Sequence, residues 1–433
     1  MRKMRIMIFV ILIASLLLVG CQAQNNKTEP TAVEEPVVTE AVDSPEVEQP
    51  AGPSQPISSG PATCTVVGSL IPEIPADQIP PVPLASEDDW VLGDVNAEVQ
   101  VINYSDFQCP YCSLAAPELE RFQADNPDKV NLVFRHFPLI SIHPKAMPAA
   151  RAAEAAGAQG KFFEMHDLLF ENQAEWSAET MSLEQFDTWL RDQAESLGLD
   201  MEKFDEVYTS AETQAKLDAD YKNVTENIGL TGTPSVFITI NGIPYMGPRD
   251  YEGLSGILRL IDLDKNRYSE CPPMTIDPDK TYTATITTTK GDVVVELFAK
   301  EAPMTVNSFV FLARDGYFDN VAWHRVMPGF VAQAGDPSGS GFGGPGYEFS
   351  NEISELTFDA EGVLGMANAG VDTNGSQFFI TYAAQPTLDG GYTVFGKVIE
   401  GMDVVNALNP VDPQQGGKLA DSDLILDVQI TEK

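Results

Sequence analysis

The sequence predicts a multidomain chain: an α/β domain interrupted by helices, then a mainly β domain, both behind an exported, tethered N-terminus. Three observations predict it. Between about residues 85 and 265, strand-like runs flank a long stretch of helical periodicity. After residue 281, short apolar strands alternate with Gly-rich turns. From Gln22 to about Pro61 neither period is present, and Glu, Pro, Ser, Thr and Val dominate.

A chain of 433 residues allows two or three domains of ordinary size. Its 26 basic and 64 acidic residues give a net charge of −38. That balance lacks the basic footprint that nucleic-acid backbones require, and it opposes electrostatic docking on anionic lipid. Partners are therefore expected among soluble polypeptides.

The opening residues supply another route to a membrane. "MRKMR" is a basic n-region, and "IMIFVILIASLLLVG" is an apolar run with the proportions of a secretory signal, ahead of Cys21. "LLVGC" resembles the lipobox of bacterial lipoproteins, which implies a signal peptide over 1–20 and acyl chains on Cys21. A plain signal peptide or an uncleaved anchor are the alternatives, and all three export the chain. Residues 21–63 then read as an extended, self-repelling acidic tether.

Four cysteines remain: Cys64, Cys109, Cys112 and Cys271. The pair in "YSDFQCPYCS" could be half a zinc site, a structural disulfide or a redox couple. Zinc would need a second pair or a histidine hook, and His136, His143, His166 and His324 show none, so no metal is expected. Those histidines read as packing residues. Cys64 and Cys271 flank the first folded segment, and a bridge between them would staple its edges. Closing roughly two hundred residues is worth roughly 5 kcal/mol in the chain-entropy model.

"AEVQVINYSDF" reads as a strand with Val99, Val101 and Asn103 on one face. Pro110 suits the first position of a following helix, whose apolar stripe runs through Leu114, Ala115, Leu119 and Phe122. Cys109 then stands at the helix N-terminus, where free N–H groups and the dipole favour a thiolate. Cys112 is one turn along, placed to resolve a mixed disulfide. A structural bridge over so short a loop would constrain little, so the residues favour a redox couple. "VNLVFRHFPL" is a second strand, followed by helical spacing from His143 to Tyr208. In "GLTGTPSVFITING", Thr233–Pro234 opens another strand, where a cis bond is consistent with the sequence.

On "DFQCPYC" and "GTPSVFI", residues 85–265 resemble the DsbA-like branch of the thioredoxin superfamily. The resemblance implies a thioredoxin-like fold with a helical insertion within a domain spanning 64–271. It makes Cys109 the attacking cysteine, Cys112 the resolving one, Pro234 the cis-proline, and Thr233 the residue presenting backbone to substrate.

Residues 272–280 read as a linker. "YTATITTTKGDVVVELF" is a hairpin, "APMTVNSFVFLARDGYF" carries helical spacing, and the strands beyond suggest a barrel or a sandwich. "GSGFGG" fits a dinucleotide fingerprint by letter, but no helix follows it. "WHRVMPGFVAQAGDP", "GVLGMANAGVDTNGSQFFIT" and "LDGGYTVFGKVIEGMDVV" closely resemble the cyclophilin family of peptidyl-prolyl cis–trans isomerases. That resemblance covers 281–433 and implies an eight-stranded barrel capped by two helices, "TVNSFVFLARDG" and "GMDVVNAL". It places Arg325 and Gln333 as catalytic residues. It places His324, Phe330, Val331, Met366, Ala367, Asn368, Phe379, Leu388 and Tyr392 around a proline pocket. Trp323, Val331 and Thr387 depart from common family choices, and Thr387 is expected to weaken cyclosporin-like binding more than catalysis.

Together these readings describe an extracytoplasmic folding factor, lipid-anchored to the bacterial cell membrane, that needs no cofactor. It would isomerise X–Pro bonds and exchange disulfides, preferentially forming them, in unfolded exported polypeptides. A membrane thiol oxidase or reductant would reset the cysteines. The alternatives are a reductase or disulfide isomerase, a client-binding chaperone without turnover, and an enzyme serving one dedicated partner.

Overall fold

The computed structural model describes residues 63–412 and 419–433. The expected signal peptide, Cys21 and the expected tether up to residue 62 lie outside the described residues. Among those described, no helix is long and apolar enough to cross a membrane.

The first domain is built on five strands: β2 (Trp90–Leu92), β3 (Val99–Ser105), β4 (Val130–His136), β5 (Ser235–Ile240) and β6 (Ile243–Met246). Their order is β2-β4-β3-β5-β6, with only β3 and β4 parallel. All seven residues of β3 are buried because both faces of the sheet are covered. On one face, Val99, Val101 and Ile238 pack against Leu119 and Phe122 of α1 (Pro110–Asp125) and Leu254 and Leu258. The latter two belong to α8 (Tyr251–Lys265). On the other face, Ile102, Tyr104 and Val133 meet Phe137 and Val224.

The helical insertion lies between β4 and β5. It runs through α2 (Ala146–Gly157), α3 (Phe162–Glu171), α4 (Gln173–Trp176), α5 (Leu183–Ser196), α6 (Met201–Thr209) and α7 (Ala211–Lys222). Local chemistry sets several of its boundaries. Ser182 and Gln185 form a capping box at α5, and Asp200 and Ser210 cap α6 and α7. The alanines of α2 present little bulk, so Phe162, Met165, Trp176, Phe186 and Phe204 close around it into a separate core.

The second domain is a curled antiparallel sheet. Its strands are β7 (Tyr282–Thr288), β8 (Gly291–Leu297), β9 (Val321–Ala322), β10 (Arg325–Val326), β11 (Val331–Ala334), β12 (Tyr347–Phe349), β13 (Val363–Asn368), β14 (Asn374–Thr381), β15 (Val394–Glu400) and β16 (Leu424–Glu432). The ladder passes from β14 through β13, β15, β8 and β7 to β16 and β9. The same segment continues as β10, which pairs with β11, and β11 pairs with β14. Alternate residues of β7 and β8 point into a core of Ile286, Val295, Trp323, Phe378 and Phe395. Helices α9 (Pro303–Arg314) and α10 (Met402–Asn406) accompany the sheet, α9 packing Val306, Phe309 and Val310 into that core.

The N-terminal strand departs from expectation. Cys64 and Cys271 are bridged. However, β1 (Cys64–Val66) pairs with β12 in the second domain, Cys64 opposite Phe349. The bridge joins the two ends of the first domain as expected, and the pairing of β1 adds a second tie. Together they tie the chain entering that domain, and the chain leaving it, to the sheet of the next. Helix α8 adds a direct contact, as Arg259 Nε donates to Ser338 O at 2.9 Å.

The "GSGFGG" stretch also finds its physical reason. Asp336 is fully buried and accepts from the N–H groups of Ser338, Gly341 and Gly343 at 2.8, 2.7 and 3.1 Å. A Cβ at Gly343 would stand 1.9 Å from Asp336 Oδ1, so these glycines let the loop wrap one carboxylate.

Candidate active sites

The structure brings Cys109, Cys112, Thr233 and Pro234 together. Cys109 is the N-cap of α1, so the start of the helix lies beside its sulfur. Cys109 Sγ lies 3.4 Å from Thr233 O, and the Thr233–Pro234 bond is cis. Thr233 Oγ1 is buried with no other partner, so its hydroxyl is available to the sulfur. Both cysteines are free thiols and buried, whereas Tyr111 and Leu114 beside them are exposed.

Their electrostatics are opposite. The Cys109 thiol is pulled down to about 5, first by the hydrogen bond from Cys112, against the cost of burial. The Thr233 side chain and the N–H groups of Cys112 and Tyr111 add to that pull. Cys112 is pushed well above the ordinary thiol range, first by burial and then by the neighbouring Cys109. One turn of helix thus separates a stable leaving thiolate from a thiol that holds its proton.

The loop carrying Cys109 is braced by residues that sequence reasoning missed. Gln173 Nε2 donates to Phe107 O at 2.7 Å and to Cys109 O at 2.9 Å, reaching across from the insertion. Buried Asp106 accepts from the N–H groups of Gln108 and Leu139 at 2.7 and 2.8 Å. His143 Nδ1 sits 2.7 Å from the same carboxyl, so this histidine braces the site as well as packing. His136 rests on Glu154. His166 lies between Glu120 and Asp167, a three-residue grouping of metal-ligand type that spacing did not foresee.

The second site is a cavity of about 180 Å³ on the outside of the curled sheet. It is lined by Arg325, Phe330, Val331, Gln333, Ala367, Asn368, Phe379, Leu388 and Tyr392. Register explains the convergence. Arg325 stands opposite Gln333, and Gln333 opposite Phe379, so neighbouring strands present all three on one face. Beneath them, Val331, Phe358, Val363, Phe379 and Val394 form an apolar floor separate from the interior of the sheet. Gly365 makes that floor possible, since a Cβ there would meet Phe379 at 2.6 Å and Phe358 at 2.7 Å.

The polar edge is a relay. Arg325 Nη1 donates to Gln333 Oε1 at 3.3 Å, and Gln333 Nε2 donates to Gln377 Oε1 at 2.9 Å. Gln377 in turn donates to Gly341 O and Gly343 O at 3.0 and 2.9 Å. Gln377 was not foreseen, although it lies two residues before Phe379 on the same strand, where alternation could have found it. Arg325 is further steadied over the Phe330 ring, 5.6 Å from its centroid.

Two expected pocket residues do not line the cavity. Met366 is buried in the sheet interior. His324 is also buried. Burial, the largest cause, lowers its pKa, and the Arg325 charge beside it acts in the same direction.

Residues 283–430 match the family described as cyclophilin type peptidyl-prolyl cis-trans isomerase/CLD, and residues 85–259 match the family described as thioredoxin. The chain is similar to a peptidyl-prolyl cis-trans isomerase of Arabidopsis thaliana, 49% identical over 131 residues covering 29% of this chain and 80% of that protein. It is 42% identical over 159 residues to the peptidyl-prolyl cis-trans isomerase-like 1 of Mus musculus, covering 36% of this chain and 94% of that protein. With the isomerase-like 2 protein of Rhizopus delemar it shares 48% identity over 159 residues, 35% of this chain but only 28% of that protein. A solved cyclophilin-type isomerase from Cryptosporidium parvum shares 39% identity, covering 35% of this chain and 99% of that chain at a TM-score of 0.33.

Proposed function

Because the chain belongs, through its C-terminal domain, to the cyclophilin-type peptidyl-prolyl cis–trans isomerases, we propose that it is a folding factor joining proline isomerisation to disulfide formation in exported proteins. The relatives support the isomerase activity. The disulfide half rests on one observation, the opposite pKa shifts of Cys109 and Cys112.

At the cavity, an apolar floor takes the proline ring while Arg325, held by Gln333, faces the bond to be turned. Rotation removes amide resonance and meets a barrier of about 18–20 kcal/mol. A fixed guanidinium that donates more strongly to the twisted amide lowers that barrier without a covalent step.

At the thiol pair, the oxidised form accepts a client thiolate on Cys109 Sγ. The Cys109–Cys112 bond breaks, and Cys112 departs and takes up a proton. A second client thiolate then attacks the client sulfur of the mixed disulfide. The client gains a disulfide and loses two electrons, while Cys109 leaves as the thiolate that its surroundings favour. A membrane thiol oxidase that accepts those electrons would reset the pair.

Export is read from the basic n-region and apolar run, and a lipid on Cys21 would hold the protein at the outer face of the cell membrane. Disulfide chemistry and proline isomerisation are among the slow steps of folding, and two sites on one chain raise each other's effective concentration for a captured client. Oxidative refolding of a reduced, unfolded two-disulfide protein tests the reading. Catalytic amounts of the oxidised chain should accelerate formation of native disulfides. Protection from aggregation without acceleration would instead identify a binding module.

A further inference from the structure

A groove of about 370 Å³ continues from the proline cavity and shares Gln333, Ala367 and Asn368 with it. One of its walls is foreign to the second domain: Val67, Ser69, Leu70 and Pro72, from the strap that precedes the first domain. The strap is fixed along its length. β1 pairs with β12, and Cys64 is bridged to Cys271. Leu70 N donates to Asp264 Oδ1 at 2.6 Å, Ser69 Oγ donates to Asp264 Oδ2 at 3.1 Å, and the Arg267 guanidinium donates to Gly68 O.

Glu348, on the strand β12 that pairs with β1 of the strap, also lines the groove. Its neighbours Tyr347 and Phe349 are buried in the sheet, so strand alternation turns Glu348 outward. The carboxylate is half-buried, and no cation pairs with it among the described residues. Arg267, whose side chain passes beside Gly346, is paired with Asp264 instead. Burial alone raises the Glu348 pKa, the mark of a carboxylate losing water without gaining a partner.

We propose that this strap-walled groove binds client residues flanking the X–Pro bond and selects a lysine or arginine there, its charge on Glu348 and its stem along Leu70 and Pro72. The inference rests on the isomerase reading of the adjoining cavity. An extended peptide whose proline fills that cavity passes Gln333 and Asn368 directly into the groove, at about 3.3–3.6 Å per residue. A long basic side chain fits both surfaces there, apolar along its stem and charged at its tip. The wall comes from outside the isomerase domain, so this preference belongs to the full chain.

Peptides of ten residues with one X–Pro bond, and one lysine moved stepwise along either side, provide the test. With the full chain, kcat/KM should peak at one lysine position, about threefold above the same peptide with glutamate there. Glu348→Gln should remove that advantage, and Leu70→Ser should reduce it. Both variants should turn over a short tetrapeptide at the unmodified rate. Normal tetrapeptide turnover with no lysine position sensitive to Glu348→Gln would overturn the groove alone. Failure to turn over the tetrapeptide would overturn the isomerase reading and the inference with it.

Discussion

Arg325→Ala should lower kcat/KM for proline isomerisation about 10²–10³-fold, with the loss in kcat rather than in KM. The reasoning is geometric. The apolar floor of Phe379, Val331 and Phe358 holds the ring whether or not a guanidinium is present, so ground-state binding survives. What disappears is the donor that favours the twisted amide. Arg325→Lys should recover little, because a single ammonium lacks the planar fork that Gln333 and the Phe330 ring orient. Arg325 is part-exposed and its one side-chain hydrogen bond is long, so the melting temperature should stay nearly unchanged. A variant that loses activity together with its fold would show a structural role instead. The measurement is a coupled or direct peptide assay beside a thermal scan.

Cys109→Ser should abolish thiol–disulfide exchange while leaving isomerase activity intact. Cys112→Ser should instead accumulate mixed disulfides between Cys109 and clients, visible on non-reducing gels. The asymmetry follows from position. On the proposed reading Cys109, at the helix start, is the sulfur that would meet a client, whereas Cys112 lies one turn behind it and is the more deeply buried. In the unmodified reduced chain, alkylation of Cys109 by iodoacetamide should titrate with a midpoint near pH 5, far below the ordinary thiol. A depressed pKa stabilises the reduced fold. That stability is complete above the unperturbed thiol value of 9.0 and is lost as pH falls toward about 5. An alkylation midpoint in the ordinary thiol range, with no adduct trapped by Cys112→Ser, would remove the exchange chemistry.

Much of this was legible because it is local. The C-P-Y-C pair, the alternation of β7 and β8 and the helical spacing of the insertion are all signals within a few residues. The Arg325 and Phe379 stretches were readable through resemblance, and their register on adjacent strands then explains why they meet. What escaped is long-range. Gln173 reads as one more polar residue in a helical stretch, and only the packing of the insertion aims its amide at Cys109 O. β1 is three residues long and finds its partner β12 more than half the chain away, for which no local pattern exists. Met366 and His324 mark the opposite error. Their neighbours do line the cavity, but Met366 packs into the sheet interior, and His324, in the link between β9 and β10, is buried.

The reduction potential of the Cys109–Cys112 pair, measured in glutathione buffers across pH 4 to 8, tests the disulfide-forming claim most directly. A Cys109 thiol near 5, with Cys112 protonated throughout, predicts a value between about −120 and −200 mV at neutral pH. The potential should fall by about 30 mV per pH unit above pH 5, where one proton accompanies two electrons, and by about 59 mV per unit below it. A neutral-pH value near −270 mV, with the steeper slope continuing through pH 7, would contradict it and make the first domain a reductant.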